Sequence, residues 1–215
     1  MYLSRLILNP RNRRVQREIA WPYQMHRSLM RAFPDDLDED KERVLFRPEA
    51  HPRTGVLTLL VQSCTLPDWS WLAKPNAAGY LLPVGEPNPA VKAFDLDLAR
   101  GQVLAFRLRA NPTVKRDGKR HGLVREEDQM AWLRRKGEGG GFCVLAARAG
   151  NRANVGGRIR RSQVTHKLRL LAVQFDGLLQ VTDSHRLHET VRRGIGSGKG
   201  FGFGLLSLAR PRGQG

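Results

Sequence analysis

Arg192-Arg-Gly-Ile-Gly-Ser-Gly-Lys-Gly-Phe-Gly-Phe-Gly-Leu-Leu-Ser-Leu-Ala-Arg210 reads as the end of a helix, a glycine-rich loop and a short apolar strand. Five glycines lie between Gly194 and Gly202, with Lys199 among them. Such a loop can bring backbone N–H groups close to an anion, because glycine reaches φ > 0 without a Cβ clash. Two familiar phosphate-binding folds are excluded by what surrounds it. A Walker loop needs Ser or Thr after the lysine, and Gly200 stands there. A dinucleotide-binding loop runs from a strand into a helix, and here the order is reversed. The remaining choice is between a plain flexible turn and an anion-facing loop in an α+β fold, and the charge around it favours the second.

The 215-residue chain carries a net charge of +17. That charge is unevenly placed. Residues 1–95 hold 13 Lys/Arg against 11 Asp/Glu, whereas residues 96–215 hold 24 against 9. Arginine predominates, which suits bidentate contact with phosphate. A basic half of this size implies a polyanionic partner, with nucleic acid foremost. The arginines are not gathered on one amphipathic helix, so a membrane surface is disfavoured. No apolar run approaches the ~18 residues of a membrane span, and no signal peptide is read at the start. The expectation is a soluble cytoplasmic protein, monomeric when isolated. Cys64 and Cys143 are far apart in apolar runs and read as core residues.

Moving outward along the chain, Tyr2–Leu8 reads as a strand, Arg11–Ala20 as a basic helix, and Pro22–Phe33 as a second helix opened by its proline. A strand pair follows at Glu42–Arg47 and Val56–Thr65. Then come a short helix start at Asp68–Leu72 and a final strand at Tyr80–Val84. The order is β-α-β-β-α-β, the ferredoxin-like plan. Gly85–Pro89 is the linker candidate, dividing a domain of residues 1–88 from one of 89–215. The second half repeats the plan with insertions. Gln102–Ala110 reads as a strand with Arg107 and Arg109 on one face. Asp117-Gly118 forms a hairpin turn, flanked by Lys115 and Lys119. Arg125–Lys136 is a helix and Phe142–Ala147 a strand. A basic arm follows with Arg158, Arg160 and Arg161. Leu168–Phe175 and Leu178–Val181 are paired across a turn at Asp176-Gly177. Ser184–Arg193 is a helix and Phe203–Leu208 the closing strand. Fold class is therefore α+β, two tandem ferredoxin-like (RRM-like) domains.

On a helical wheel, Met25, Leu29, Ala32 and Phe33 share one arc, while Tyr23, His26, Arg27 and Arg31 face away from it. A histidine exchanges protons near neutral pH. Beside a phosphate-binding surface, Tyr23 and His26 point to RNA cleavage by the RNA's own 2′-OH, which needs no metal. His185 and His188 have a zinc-like spacing but no third ligand, and no carboxylate cluster of a two-metal nuclease is present. The reading therefore calls for no metal and no cofactor.

These stretches resemble the CRISPR repeat-processing endoribonucleases of the E subtype, the CasE/Cse family of type I-E systems. The resemblance is carried by Leu3-Ser-Arg-Leu-Ile-Leu-Asn-Pro10, Pro22-Tyr-Gln-Met-His-Arg27, Gln62–Trp69, Phe106–Pro112, Gly118-Lys-Arg120 and Arg193–Leu206. It implies tandem ferredoxin-like domains and metal-independent cleavage at the base of a precursor CRISPR RNA hairpin, giving a 2′,3′-cyclic phosphate and a 5′-OH. It also implies retention of the mature RNA within a multi-subunit antiviral surveillance complex. By position, His26 and Tyr23 match the catalytic pair, Arg27 and Arg31 stand where basic support is expected, and Arg158, Arg160 and Arg161 fall in the segment that enters the stem groove. Lys115, Lys119, Arg193, Ser197 and Lys199 complete the expected RNA surface. Which of Tyr23 and His26 takes the first proton is not written in the sequence. The rival from another class is a non-catalytic scaffold that binds structured RNA without cutting it.

Overall fold

A computed structural model describes residues 1–38, 42–161 and 164–211, the side chains of 157–169 excepted. The chain forms two compact units. One comprises residues 1–95 with 156–168 and 200–202, and the other 96–155 with 169–199 and the stretch from Phe203 onward.

In the first unit, β1 (Tyr2–Leu8) leads to α1 (Arg13–Ala20) and α2 (Pro22–Leu29), and a 3-10 turn at Met30–Ala32 finishes α2. Asn12 caps α1 by accepting from the backbone N–H groups of Arg14 and Val15 at 2.9 and 3.2 Å. The break between the helices is set by Pro22. Its ring pushes the preceding Trp21 out of the helical region, to φ −128° and ψ 78°. α1 therefore stops at Ala20 and α2 starts in a new direction. Two strands follow, β2 (Leu45–Ala50) and β3 (Leu57–Ser63), then 3-10 turns at Ser70–Ala73 and Pro75–Ala77, and β4 (Ala90–Ala93). The sheet is antiparallel, in the order β2-β3-β1-β4. That is the ferredoxin-like order, with 3-10 turns standing where a second helix was expected.

The apolar arc of α2 faces inward as the wheel requires. Met25, Leu29, Ala32 and Phe33 are buried against Leu6 and Leu8 of β1, Leu59 and Val61 of β3, and the rings of Trp69, Trp71 and Tyr80. On β1, the same inward face carries Ser4, whose hydroxyl accepts from the indole N–H of Trp69 at 3.1 Å. A buried polar group is thereby satisfied.

The second unit is built on the same plan. Its elements are β5 (Val103–Ala110), a hairpin of β6 (Thr113–Arg116) and β7 (Lys119–Gly122), then α3 (Glu126–Gly139), β8 (Phe142–Arg161) and β9 (Val164–Val181), whose residues within 156–168 belong to the first unit, α4 (Ser184–Arg193) and β10 (Leu206–Ala209). Its main sheet has the order β10-β5-β9-β8, again fourth, first, third, second. The β6–β7 hairpin is a separate two-stranded insertion. Its turn takes positive φ at Asp117 and Gly118, as an Asp-Gly hairpin turn does. Along β5, Leu104, Phe106, Leu108 and Ala110 are buried and alternate with half-buried Arg107 and Arg109.

Four expectations are corrected by this fold. The final strand of the first unit is Ala90–Ala93, not Tyr80–Val84. Leu81 makes only an isolated bridge to Leu8, because Tyr80 is drawn into the core by its hydroxyl. β2 continues through Pro48 to Ala50; it is an edge strand, where a missing N–H is tolerated. Asp176-Gly177 is no turn. Arg107 pairs with Asp176 and Phe106 with Gly177 in the β5–β9 ladder. There Arg107 Nε donates to the Asp176 carboxylate at 2.5 Å, and a side chain at 177 would collide with the carbonyl of Ala146. Burial raises the Asp176 pKa, but hydrogen bonds from Arg107 and Gln174 and the charges of Arg107 and Arg148 outweigh it and hold the carboxyl below its ordinary range. Finally, Cys143 is exposed rather than in the core, since the strand alternation turns Phe142 inward.

Candidate functional site

The first unit carries Tyr23 and His26, i and i+3 on α2 and both half-buried, with His26 at the border of the apolar arc beside Leu29. Their ring centroids are 6.0 Å apart. Each is seated by an aromatic ring from elsewhere in the unit. The imidazole lies nearly parallel to Phe46 of β2, with centroids 6.2 Å apart and 11° between planes. The phenol stacks on Phe201 at 5.7 Å.

Phe201 belongs to the glycine loop, and its neighbours explain the spacing of the glycines. At Gly200 a Cβ would lie 3.4 Å from Cδ2 of His26. At Gly202, φ is +79° and a Cβ would press within 3.1 Å of Phe46 and 3.2 Å of Pro48. The backbone can therefore press on the histidine's stacking partner only without a side chain at 202, while at 200 a Cβ would just touch the imidazole. The loop's function in this unit is contact with the α2 face, beyond any role as a flexible turn.

Below this face, α2 is tied to α1 by a buried polar cluster. Glu18 of α1 accepts from Arg14 Nε at 2.8 Å, from the Ser28 hydroxyl at 2.5 Å and from the Tyr80 hydroxyl at 2.6 Å. Arg14 Nη2 also donates to Ser28 Oγ at 2.7 Å. Burial first, and then the charge of Glu18, push the Tyr80 phenol pKa well up, so it stays a donor. Ser28 lies two residues from His26, so this cluster fixes the stretch of α2 that presents the pair.

The other expected residues are placed as follows. Arg27 is exposed on α2. Arg31, on the 3-10 turn, lays its guanidinium over the Trp71 ring at 4.4 Å. In the second unit, Lys115 and Lys119 are exposed on the β6–β7 hairpin, opposite Arg120 and Arg116. Arg193 ends α4 within 3.4 Å of Glu189 and stays largely exposed. Lys199 Nζ donates to the Gly196 carbonyl at 2.9 Å. Ser197 Oγ is buried with no hydrogen-bond partner among the described residues. Arg158, Arg160 and Arg161 fall at the end of β8, and their side chains lie outside the described residues. The structure brings together Tyr23, His26 and the crest of the glycine loop. Sequence reasoning missed Phe46, Phe201 and the Glu18 cluster. Only the five alternate glycines hinted that a backbone must approach something closely.

A family described as "CRISPR associated protein" matches residues 1–210. The CRISPR-associated endoribonuclease Cse3 of Thermus thermophilus is 40% identical over 219 residues, covering 97% of this chain and all of that protein. The CRISPR system Cascade subunit CasE of Escherichia coli is 30% identical, over 97% of this chain and 99% of its own. Among solved structures, Cse3 bound to a 19-nucleotide RNA superposes with a TM-score of 0.84 at 38% identity, covering 97% of this chain and all of that one. Escherichia coli Cas6e superposes with a TM-score of 0.63 at 27% identity, covering 98% of this chain and all of that one. Among the described residues, no helix is long and apolar enough to cross a membrane.

Proposed function

Because this chain belongs to the CRISPR-associated protein family that it matches, we propose that it is a metal-independent endoribonuclease of precursor CRISPR RNA. It binds the repeat hairpin, cuts at the base of the stem, and keeps the product as a subunit of the type I-E surveillance complex in the cytoplasm. The observation that carries the reading is the seating of Tyr23 and His26 under the glycine loop, on a chain similar throughout to an endoribonuclease.

The chemistry follows from the residue types. The 2′-oxygen attacks the adjacent phosphorus and the bond from phosphorus to the 5′-oxygen breaks. One proton must leave the 2′-OH and one must reach the departing 5′-oxygen. Tyr23 and His26 divide these transfers, His26 as acid or base and Tyr23 deprotonating or orienting the 2′-OH. Arg27 and Arg31 stabilise charge developing on the phosphate oxygens. Lys115, Lys119, Arg158, Arg160, Arg161, Arg193 and Lys199 bind the stem and its backbone, and Ser197, whose hydroxyl is buried, shapes the loop that faces the RNA. Many phosphate contacts make product release slow, which accords with retention of the cut RNA.

The products test this reading. Cleaved repeat RNA should end in a 2′,3′-cyclic phosphate on the upstream fragment and a 5′-OH on the downstream one, read by mass spectrometry. A 3′-OH paired with a 5′-phosphate would contradict it, since that pattern comes from attack by water rather than by the 2′-OH.

A further inference from the structure

The chain has four tryptophans. Trp69, Trp71 and Trp132 are 8, 4 and 2% exposed, whereas Trp21 is 41% exposed. One exposed apolar residue would mean little by itself. Trp21 is set apart by how it is held and by what surrounds it. It stands at the junction of α1 and α2, capping the end of the first and the start of the second. Its N–H donates to the Arg17 carbonyl at 2.9 Å, and its carbonyl accepts from the Gln24 N–H at 2.8 Å. Pro22 restricts its backbone further. The indole is carried on a fixed corner, so little freedom is lost when something stacks on it.

The residues around it are exposed and cationic. Arg13 and Arg17 share one face of α1 as i and i+4, and Trp21 follows at the next step of four. Gln24 and Arg27 continue the exposed series at steps of three along α2. Arg27 follows His26 directly and lies one helical turn beyond Tyr23, so the stripe leads from the candidate catalytic pair out along α1. Glu18 is the one acidic residue of the two helices, and it is buried against Arg14. The stripe itself therefore carries no negative charge. Arg13 sits in the first turn of α1, against the sense of the helix dipole. Helix stability does not account for such a placement, whereas a polyanionic partner does.

Building on the nuclease reading above, we infer that this stripe is the subsite for the unpaired strand that leaves the scissile phosphate away from the stem. A base stacks on Trp21, and Arg17 and Arg13 take the phosphates that follow. A cut at the base of a stem has duplex on one side and single strand on the other. Bases within a duplex are already stacked on one another, so an exposed indole finds a free base face in the unpaired strand. Cations alone would follow either strand; the indole among them selects. Every base has a π-face, so the subsite is indifferent to the flank's sequence. The flank departs with the cut, so these contacts favour the uncut precursor over the retained product.

The test measures binding of three RNAs: the hairpin ending at the cut, the hairpin with a short unpaired extension beyond it, and the same extension made of abasic sugars. The two extended RNAs carry a 2′-deoxy sugar at the cut site, so that they stay whole. Wild type should bind the natural extension at least about fivefold more tightly than the hairpin ending at the cut, the lower end of one base–aromatic stack. Trp21→Leu should lose most of that advantage and bind the other two RNAs as wild type does. Trp21→Phe keeps a ring and should keep part of it. Arg13→Ala/Arg17→Ala should weaken both extended RNAs and lower their log–log salt slope by about 1.4, at about 0.7 per single-strand phosphate no longer neutralised. Wild-type affinity of Trp21→Leu for the natural extension overturns the inference. So does an equal loss on all three RNAs, which would put Trp21 on the stem, or an equal loss on the natural and abasic extensions, which would exclude stacking. Unchanged RNA binding with failed assembly into the surveillance complex would assign the stripe to a protein subunit and overturn it as well. Failure of the nuclease reading shows separately, as an all-ribose extended hairpin that wild type leaves uncut.

Discussion

Replacing His26 with alanine is expected to slow cutting of the repeat hairpin by about 10²–10⁴-fold, the usual loss of a general acid or base, with affinity for the RNA nearly unchanged. The separation follows from where the imidazole sits. It is half-buried at the edge of the apolar arc of α2, against Phe46 and under the Gly200 backbone, while Met25 and Leu29 anchor the helix in the core. Removing the ring uncovers one face of Phe46 but leaves Met25 and Leu29 in the core and does not touch the basic residues of the second unit. Single-turnover cleavage at saturating protein, alongside equilibrium binding, measures both quantities. Cutting at the wild-type rate would remove His26 from the mechanism, and a parallel collapse of binding would make it a binding residue instead.

Replacing Glu18 with alanine is expected to destabilise the first unit by about 3–5 kcal/mol, the cost of breaking a buried ion pair by removing one partner. Glu18 is 2% exposed and receives three donors. Without it the Tyr80 and Ser28 hydroxyls lose a buried acceptor and Arg14 its ion-pair partner. The loss should appear as a lowered urea midpoint, and cutting should decline with it as α2 loosens. Glu18→Gln keeps one acceptor oxygen and should lose less. An unchanged midpoint would mean that the cluster contributes nothing.

The same cluster fixes a pH dependence at the alkaline end. The Tyr80 phenol pKa is raised in the folded protein, first by burial and then by the Glu18 charge. Above pH ~10, the ordinary tyrosine value, the unfolded chain releases this proton while the folded one keeps it. The unfolded state then binds fewer protons, so stability falls as pH rises from there. Below that range the contribution is complete. Tyr80→Phe should remove this part of the alkaline decline.

Local signals were legible where one element decides its own geometry. Pro22 announces the start of α2, and the wheel sorts Met25 and Leu29 from Tyr23 and His26 correctly. The Asp117-Gly118 turn behaves as its dipeptide demands. The same dipeptide at Asp176-Gly177 misleads, because distant partners override it: Arg107 neutralises the aspartate within the ladder, and Ala146 needs the glycine's missing side chain. Tyr80 likewise looks like a strand residue until its hydroxyl finds Glu18, 62 positions earlier. The candidate pair could be read from α2, but its seat could not. Phe46 and Phe201 reach it from widely separated parts of the chain, and no local pattern encodes such a meeting. Arg31 shows the opposite case: placed correctly on the outward arc by the wheel, it is taken up by the Trp71 ring.

The central claim is cleavage by the RNA's own 2′-OH without a metal. Its most direct test incubates the protein with the cognate repeat hairpin in excess EDTA, beside a copy carrying a single 2′-deoxy sugar at the cut site. The account predicts that the first is cut and the second is bound but left whole. Two intact RNAs, both tightly bound at low salt, would contradict it and leave a scaffold that holds the hairpin without cutting it.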